Sequence, residues 1–346
     1  MLRKLEAKSF KAFEDEDFEF GPLNILAGLN SSGKSSVIQA LRLLYEKKPL
    51  PDHGPLIEYI RKDSKGFYLN CIEQLSTGYR EKIYTPFFSY ERSGKTDEGE
   101  VNIHGIVSHI SADRYGPRTS LPLSIDKSIA TVGSRGEYIV DFLTRLDEDW
   151  SDLQVPDALV AREGKGVRMN IEEWLRFISP GIDFGYSSDR DVDIGRTMFN
   201  KHRPVHVGFG LSYTLPVIAS ILIHASQLTA RKTEAVLLLV ENPEAHLHPS
   251  GQTKMGEMMA RAASCGVQIV VETHSDHLLN GVRIAVKEKK IPHTDVKLFF
   301  FQSGKWDGIN ENPATVIPIE VDEYGMIDYW PDGFFDETEK NLQQLI

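Results

Sequence analysis

Short apolar runs alternate with helical stretches along this chain. Residues 1 to about 20 alternate apolar and polar positions in two passes, which predicts an opening β-hairpin. The acidic run Glu14-Asp15-Glu16-Asp17 between the passes is expected as a solvated turn. Leu23-Asn24-Ile25-Leu26-Ala27 reads as a brief buried strand, and Ser36 to Leu44 as a largely buried helix. From about Lys47 to Gly105 the signals are short and β-like: Phe67 to Ile72, Lys82 to Tyr90 and Val101 to Ile110. Turn clusters such as Arg92-Ser93-Gly94-Lys95-Thr96 separate them.

Residues from about Ser120 to Lys201 are more polar and more helical, as at Gly136 to Leu143 and Ile171 to Leu175. The charged, glycine-punctuated stretch Ser187 to Asn200 is expected as a loop. From Pro204 strands and helices alternate again. Ala235 to Val240 is a continuous apolar run, as a parallel strand buried on both faces requires. Gln268 to Glu272 and Val296 to Phe301 give two more such strands, with helices between them. The predicted class is α/β with a mostly parallel central sheet. Three segments follow: an N-terminal lobe with a β-rich subdomain over 1–118, an inserted helical subdomain over 119–203, and a C-terminal lobe over 204–346.

Composition narrows the setting. A chain of 346 residues is long for one compact core and suits one large or two closely joined lobes. Hydrophobic content of 41% and charged content of 26% are ordinary for a globular protein. No apolar run is expected to approach a membrane span, and Met1-Leu2-Arg3-Lys4-Leu5-Glu6 lacks the apolar core of a signal peptide. Cys71 and Cys265 stand apart from each other and from metal-ligand spacing, which points to a reducing compartment, the cytoplasm. A formal charge of −11 argues against coating nucleic acid over a broad surface, although a local basic groove stays open with 39 Lys and Arg.

The candidate chemistry centres on Gly28-Leu29-Asn30-Ser31-Ser32-Gly33-Lys34-Ser35, which fits G-x-x-x-x-G-K-[ST] at every fixed position. It follows the first buried strand and opens the first helix, the context in which the motif carries meaning. Glycines let successive N–H groups turn inward around a phosphate, and the helix adds its positive end. Lys34 can reach the β- and γ-phosphates of a nucleotide, and the Ser35 hydroxyl can ligate Mg²⁺. The longest apolar strand ends in Glu241-Asn242-Pro243-Glu244, where a carboxylate can hold that Mg²⁺ through water. The next strand ends in Thr273-His274-Ser275, and a histidine there can report a γ-phosphate. Val207-Gly208-Phe209-Gly210-Leu211-Ser212 opens an apolar helix predicted over Tyr213 to Gln227, a second phosphate-binding end. One protomer has little use for two such ends on one nucleotide, whereas two protomers head to tail would use both. Of the two arginines in the loop Ser111 to Arg118, Arg114 is the candidate for a phosphate or partner contact, against an ordinary structural salt bridge.

At this point the chain resembles the ABC-type ATPases of the SMC, RecF and OLD kind, and within them the small stand-alone AAA-family ATPases with a DUF3696-type C-terminus. The resemblance rests on Gly28–Ser36, Ser111–Pro117, Gly208–Ser212, Glu241 through Pro249, Glu272–Ser275 and the closing Trp330–Asp336. It covers residues 120–200 only loosely, and Gly208–Ser212 departs from the family's Leu-Ser-Gly-Gly-Gln.

The resemblance implies that Gly28, Asn30, Ser31, Ser32, Gly33, Lys34, Ser35 and Ser36 bind ATP. It implies Ser35 and Glu241 as the Mg²⁺ ligands, His274 as the switch histidine, and Gly210 and Ser212 as the contact made in trans across a homodimer, with higher oligomers open. It further implies slow or ordinary hydrolysis of ATP to ADP and phosphate, and a role in prokaryotic defence against phage or mobile DNA. That role would gate a separate effector such as a nuclease.

Where the family commonly places a hydrolytic glutamate this chain has Asn242, which can orient a water but cannot take its proton. Glu244 is the candidate replacement. His246 and His248 stand at i, i+2, with His277 after the switch histidine, and no cysteine or carboxylate set completes a tetrahedral zinc site. The residues after His274 are expected to leave no room for a Toprim nuclease, and 46–200 carry no heptad repeat of a long coiled coil. A nucleotide-dependent scaffold with little hydrolysis and a RecF-like DNA repair ATPase are the alternative readings; a transport ATPase with a membrane partner is not expected.

Overall fold

A computed structural model describes residues 1–47, 50, 54–61, 64–75, 78–85, 89–95, 105–124, 131–302 and 313–345. The chain forms two compact units, one of Met1–Ile103, His293–Asp322 and Met326–Ile346, the other of His104–Pro292 and Glu323–Gly325. The segment 119–203 lies within the second unit.

The first unit begins with β1 (Leu2–Phe10), β2 (Phe13–Glu19) and β3 (Leu23–Gly28), followed by α1 (Lys34–Glu46). Then come β4 (Tyr68–Leu75), β5 (Gly78–Tyr84) and β6 (Ser89–Lys95). The hairpin forms as the alternation predicts, but the acidic run is not its turn. Glu14 to Asp17 lie inside β2, with Leu5 opposite Phe18 and Lys8 opposite Asp15. Phe13 and Phe18 are fully buried while Glu14, Asp15 and Asp17 face water. Asp15 and Asp17 share one face of the pleat, and Phe18 lies on the other. Lys4 meets Asp17 at 2.8 Å and Lys8 meets Asp15 at 3.1 Å across the pair.

A second correction concerns Arg92 to Lys95, expected as a turn. They belong to β6 and pair with β5, Arg92 opposite Glu81 and Lys95 opposite Gly78, while Thr96 lies outside the described residues. The five strands run β2-β1-β4-β5-β6, each antiparallel to its neighbour.

The second unit opens with β7 (Gly105–Ile110) and β8 (Leu121–Pro122), followed by α2 (Ile139–Glu148) and α3 (Val167–Ile178). The front of the predicted strand, 101–104, falls outside the described residues. Next come β9 (Phe184–Asp189) and β10 (Ile194–Phe199), where a loop was expected over Ser187–Asn200. Gly195, Thr197 and Phe199 are buried while Arg196 and Met198 are exposed, the period of two that a half-buried strand needs. The charges that suggested a loop sit on the outer face and in the connecting turn.

Then follow α4 (Phe209–Thr229), β11 (Ala235–Glu241), α5 (Pro249–Ser264), β12 (Val267–Glu272) and α6 (Asp276–Lys287). The chain returns to the first unit with β13 (Val296–Gln302), β14 (Thr315–Ile319) and α7 (Glu337–Leu345). Phe334 of the closing segment is 1% exposed and packs edge-on against Phe300 of β13, which anchors that segment.

Parallel pairing joins β3 to β13 in the first unit, and β11 to both β12 and β7 in the second. Val236 to Val240 are all buried, as a strand covered on both faces must be. Each such aliphatic side chain contributes about 1.5–3 kcal/mol on burial. Helix α4 corrects the expectation about membrane-length runs. It is long and apolar enough to cross a membrane by length and composition, yet 78% of its apolar window is buried inside the protein, as in a core helix.

Candidate functional site

In the first unit β3 hands the chain to α1 through Gly28–Gly33. Gly28 holds φ +144°, and a Cβ there would lie 2.3 Å from the Phe301 carbonyl oxygen, so the strand's end tolerates only glycine. Gly33 caps α1 in the left-handed region at φ 106°. Leu29, Asn30 and Ser31 at the loop's crest are exposed, with Ser31 also at positive φ. Ser32 is buried and its hydroxyl donates to the Leu29 carbonyl at 2.7 Å. Lys34 is only 3% exposed, and its Nζ donates to the carbonyls of Gly28 at 3.0 Å and Leu29 at 2.7 Å. An ammonium wrapped by its own loop leaves a compact positive centre at the positive end of a helix. Ser35 is half-buried beside it, and the Ser36 N–H donates to the Gly33 carbonyl.

In the second unit Glu241 ends β11 and its carboxylate is held from both sides. The His109 Nε2 lies 2.9 Å from Oε1, and the Ala112 N–H donates to Oε2 at 3.2 Å. His109 was missed in the sequence. Its signal was positional: it stands near the end of β7, which pairs with β11, with His109 opposite Leu239.

Arg114 departs from both roles expected of it. It is 2% exposed and donates to the carbonyls of Ser111 at 2.9 Å, Glu241 at 2.7 Å and Asn242 at 2.6 Å. Burial lowers its pKa to about 10, with the charge of Glu244 working the other way. The guanidinium is thus a brace for the turn after β11. That turn needs bracing, because Asn242 sits at φ 44° and His246 at φ 63°.

Glu244 is 8% exposed, and its Oε1 accepts the His274 N–H at 2.7 Å. His274 itself is exposed, just beyond β12, and Ser275 caps α6 by accepting the Leu278 N–H. Helix α4 begins at Phe209, four residues earlier than predicted, so Gly210 and Ser212 lie within its first turn. A Cβ on Gly210 would come within 2.7 Å of the His246 carbonyl oxygen. The His246 ring meets Tyr213 edge-on, with centroids 4.9 Å apart. His248 caps α5 with its side chain accepting the Ser250 N–H, and His277 faces Asp276 at 3.8 Å. Among the described residues no group of three His, Cys, Asp or Glu is placed to hold a metal ion. Ser35 and Glu241 each carry an oxygen of the kind Mg²⁺ takes.

Comparison with solved structures gives matches over nearly the whole chain. The Smc head domain with an extended coiled coil bound to the C-terminal domain of ScpA, derived from Pyrococcus furiosus, matches at TM-score 0.53 and 11% identity, covering 99% of each chain. The SmcHead bound to the C-winged helix domain of ScpA matches at 0.52 and 12% identity, covering 93% of this chain and 98% of that one. The fold is that of an SMC head. It is mixed α/β with a largely parallel central sheet, as the sequence predicts. The SMC head domain from Thermotoga maritima matches at 0.46 and 11% identity, covering 92% of this chain and 99% of that one.

Three families match parts of the chain. The family described as AAA domain matches residues 4–115, AAA ATPase domain matches 199–279, and protein of unknown function DUF3696 matches 291–345. A search of curated proteins found no match.

Proposed function

We propose that this protein binds and hydrolyses ATP and acts as a dimeric nucleotide switch. The observation that carries the reading is the β3–loop–α1 unit, in which Lys34 is buried against two loop carbonyls at a helix start. A triphosphate would replace those neutral carbonyl acceptors with anionic oxygens, opposite in charge to the ammonium. Residues 28–36 would hold the phosphates through backbone N–H groups, Lys34 and the serines. Ser35 and Glu241 would hold Mg²⁺, which when bound screens the phosphate charge. His274 would read the γ-phosphate.

The half-buried Gly210 and Ser212, in the first turn of α4, would grip the nucleotide of a second copy arranged head to tail. The two matched SMC heads are each bound to a part of ScpA, which supports a partner protein here too. We take that partner to be a separate effector such as a nuclease, the setting to be the cytoplasm, and the role to be defence against phage or mobile DNA.

The test is phosphate release together with particle mass, with and without ATP, for wild type, Lys34→Ala and Glu241→Gln. ATP-dependent doubling of mass and release abolished by Lys34→Ala are expected. A wild type that binds ATP tightly as a lone subunit and never doubles in mass overturns the switch.

Asn242 supports a second reading, in which ATP acts as dimer glue with feeble hydrolysis. Its side chain cannot take a proton, and its backbone is fixed at φ 44° with the carbonyl on Arg114. ATP-dependent doubling without phosphate release would select it. A RecF-like repair role stands behind both, given the net charge of −11, and predicts steep salt-dependent DNA binding strengthened by ATP.

A further inference from the structure

We propose that Glu244 is a positioning residue, which fixes the backbone of the switch histidine to the turn after β11, and not the proton acceptor of hydrolysis. The proposal rests on the ATPase reading above.

The turn leaves β11 in a left-handed residue, and two bonds stitch it to the end of β12. The Asn242 N–H donates to the Glu272 carbonyl at 2.8 Å, and the His274 N–H donates to Glu244 Oε1 at 2.7 Å. The second bond joins an amide to a carboxylate, the stronger kind, and it lands on the residue whose ring is exposed. The Leu247 N–H closes the turn on the Glu244 carbonyl at 3.0 Å, so the side chain that reaches His274 springs from a fixed backbone.

The same geometry argues against a base. A proton acceptor must meet a water, directly or through one bridging molecule. One Glu244 oxygen is committed to an amide. The other is buried with no hydrogen-bond partner among the described residues. Two groups act on this carboxyl: the His274 N–H through its bond, and the Arg114 guanidinium through its charge, itself 2% exposed and braced on the Glu241 and Asn242 carbonyls. Both belong to the framework of the turn. Glu244 therefore acts on the reaction through His274: it sets where the ring emerges.

Glutamine separates the two roles, because its amide oxygen can still accept the His274 N–H but its basicity is gone. The experiment compares wild type, Glu244→Gln and Glu244→Ala by hydrogen exchange of the peptide over residues 272–278, by ATP affinity, and by turnover at saturating ATP. With Glu244→Gln, exchange and turnover are expected to stay within about threefold of wild type. With Glu244→Ala, exchange at His274 should accelerate about tenfold or more and turnover should fall by a similar factor, with ATP affinity little changed. Loss of turnover in both variants while exchange stays at the wild-type rate would make Glu244 the base and overturn the proposal. Unaltered exchange in Glu244→Ala overturns it as well. A wild type that binds ATP without turnover defeats the hydrolysis reading alone, since the exchange comparison still decides whether Glu244 holds His274.

Discussion

Gly28 and Phe301 approach so closely that a Cβ on Gly28 would fall 2.3 Å from the Phe301 carbonyl oxygen. The contact welds the last residue of β3 to the parallel strand β13, in the register Phe301 opposite Gly28. Gly28→Ala must move a backbone or abandon φ +144°, and should cost about 2–4 kcal/mol. Chemical denaturation measures this, with Gly166→Ala as the control. A Cβ on Gly166 meets nothing within 4 Å, and its replacement should cost under about 1 kcal/mol.

Lys34 behaves differently, because it donates to carbonyls at the end of β3 and at the start of the exposed loop that follows. Lys34→Ala should leave the nucleotide-free protein's unfolding midpoint nearly unchanged. It should weaken ATP binding by about 10–100-fold, the worth of a charge-assisted contact. Titration of a fluorescent ATP analogue gives the ratio directly.

Arg114 spans three carbonyls with a planar fork that lysine cannot reproduce. Arg114→Lys should therefore destabilise by about 2–4 kcal/mol, mostly from buried acceptors left without donors. The exposed Arg118→Lys should shift stability by less than about 0.5 kcal/mol. Equal effects in thermal or denaturant unfolding would contradict the brace.

Glu257 on α5 gathers Lys254 at 2.9 Å, Arg261 at 2.5 Å and Lys290 at 2.7 Å. Burial pushes its carboxyl up, but the bonds from Lys290 and Lys254 and the charge of Arg261 outweigh burial and hold it at about 2, against an ordinary 4.5. The folded carboxylate keeps its charge to lower pH than the unfolded one. Its stabilisation is therefore complete above about 4.5 and is lost as pH falls toward about 2. Glu257→Gln should cost about 1–3 kcal/mol at neutral pH, with the deficit shrinking through that window. Stability curves of the two proteins between pH 7 and about 3 would show the convergence.

Features written in consecutive residues were legible in the sequence. The buried strand, the glycine loop and the apolar helix of 23–46 are all local, and so are the uninterrupted runs of β11, β12 and β13. Charge misled where it lay in a strand. Glu14–Asp17, Arg92–Lys95 and Ser187–Asn200 read as turns or loops because a charged strand and a loop share a composition, and only the pairing with the neighbouring strand separates them. Long-range partners were equally hidden: nothing near His109 announces Glu241, and nothing near Arg114 announces the carbonyls it supports. Helix α4 starts early because Gly208 already serves as its cap, freeing Phe209 to take helical dihedrals.

Among the described residues strand β2 pairs only with β1, and so forms one edge of the five-stranded sheet. A bare rim of that kind invites addition of a foreign strand, up to and including fibre growth. Here it is studded with the side chains of Glu14, Asp15 and Asp17, so that a second copy approaching rim to rim would bring carboxylate against carboxylate. The acidic stretch thereby works as a guard on solubility, steering self-association away from this border.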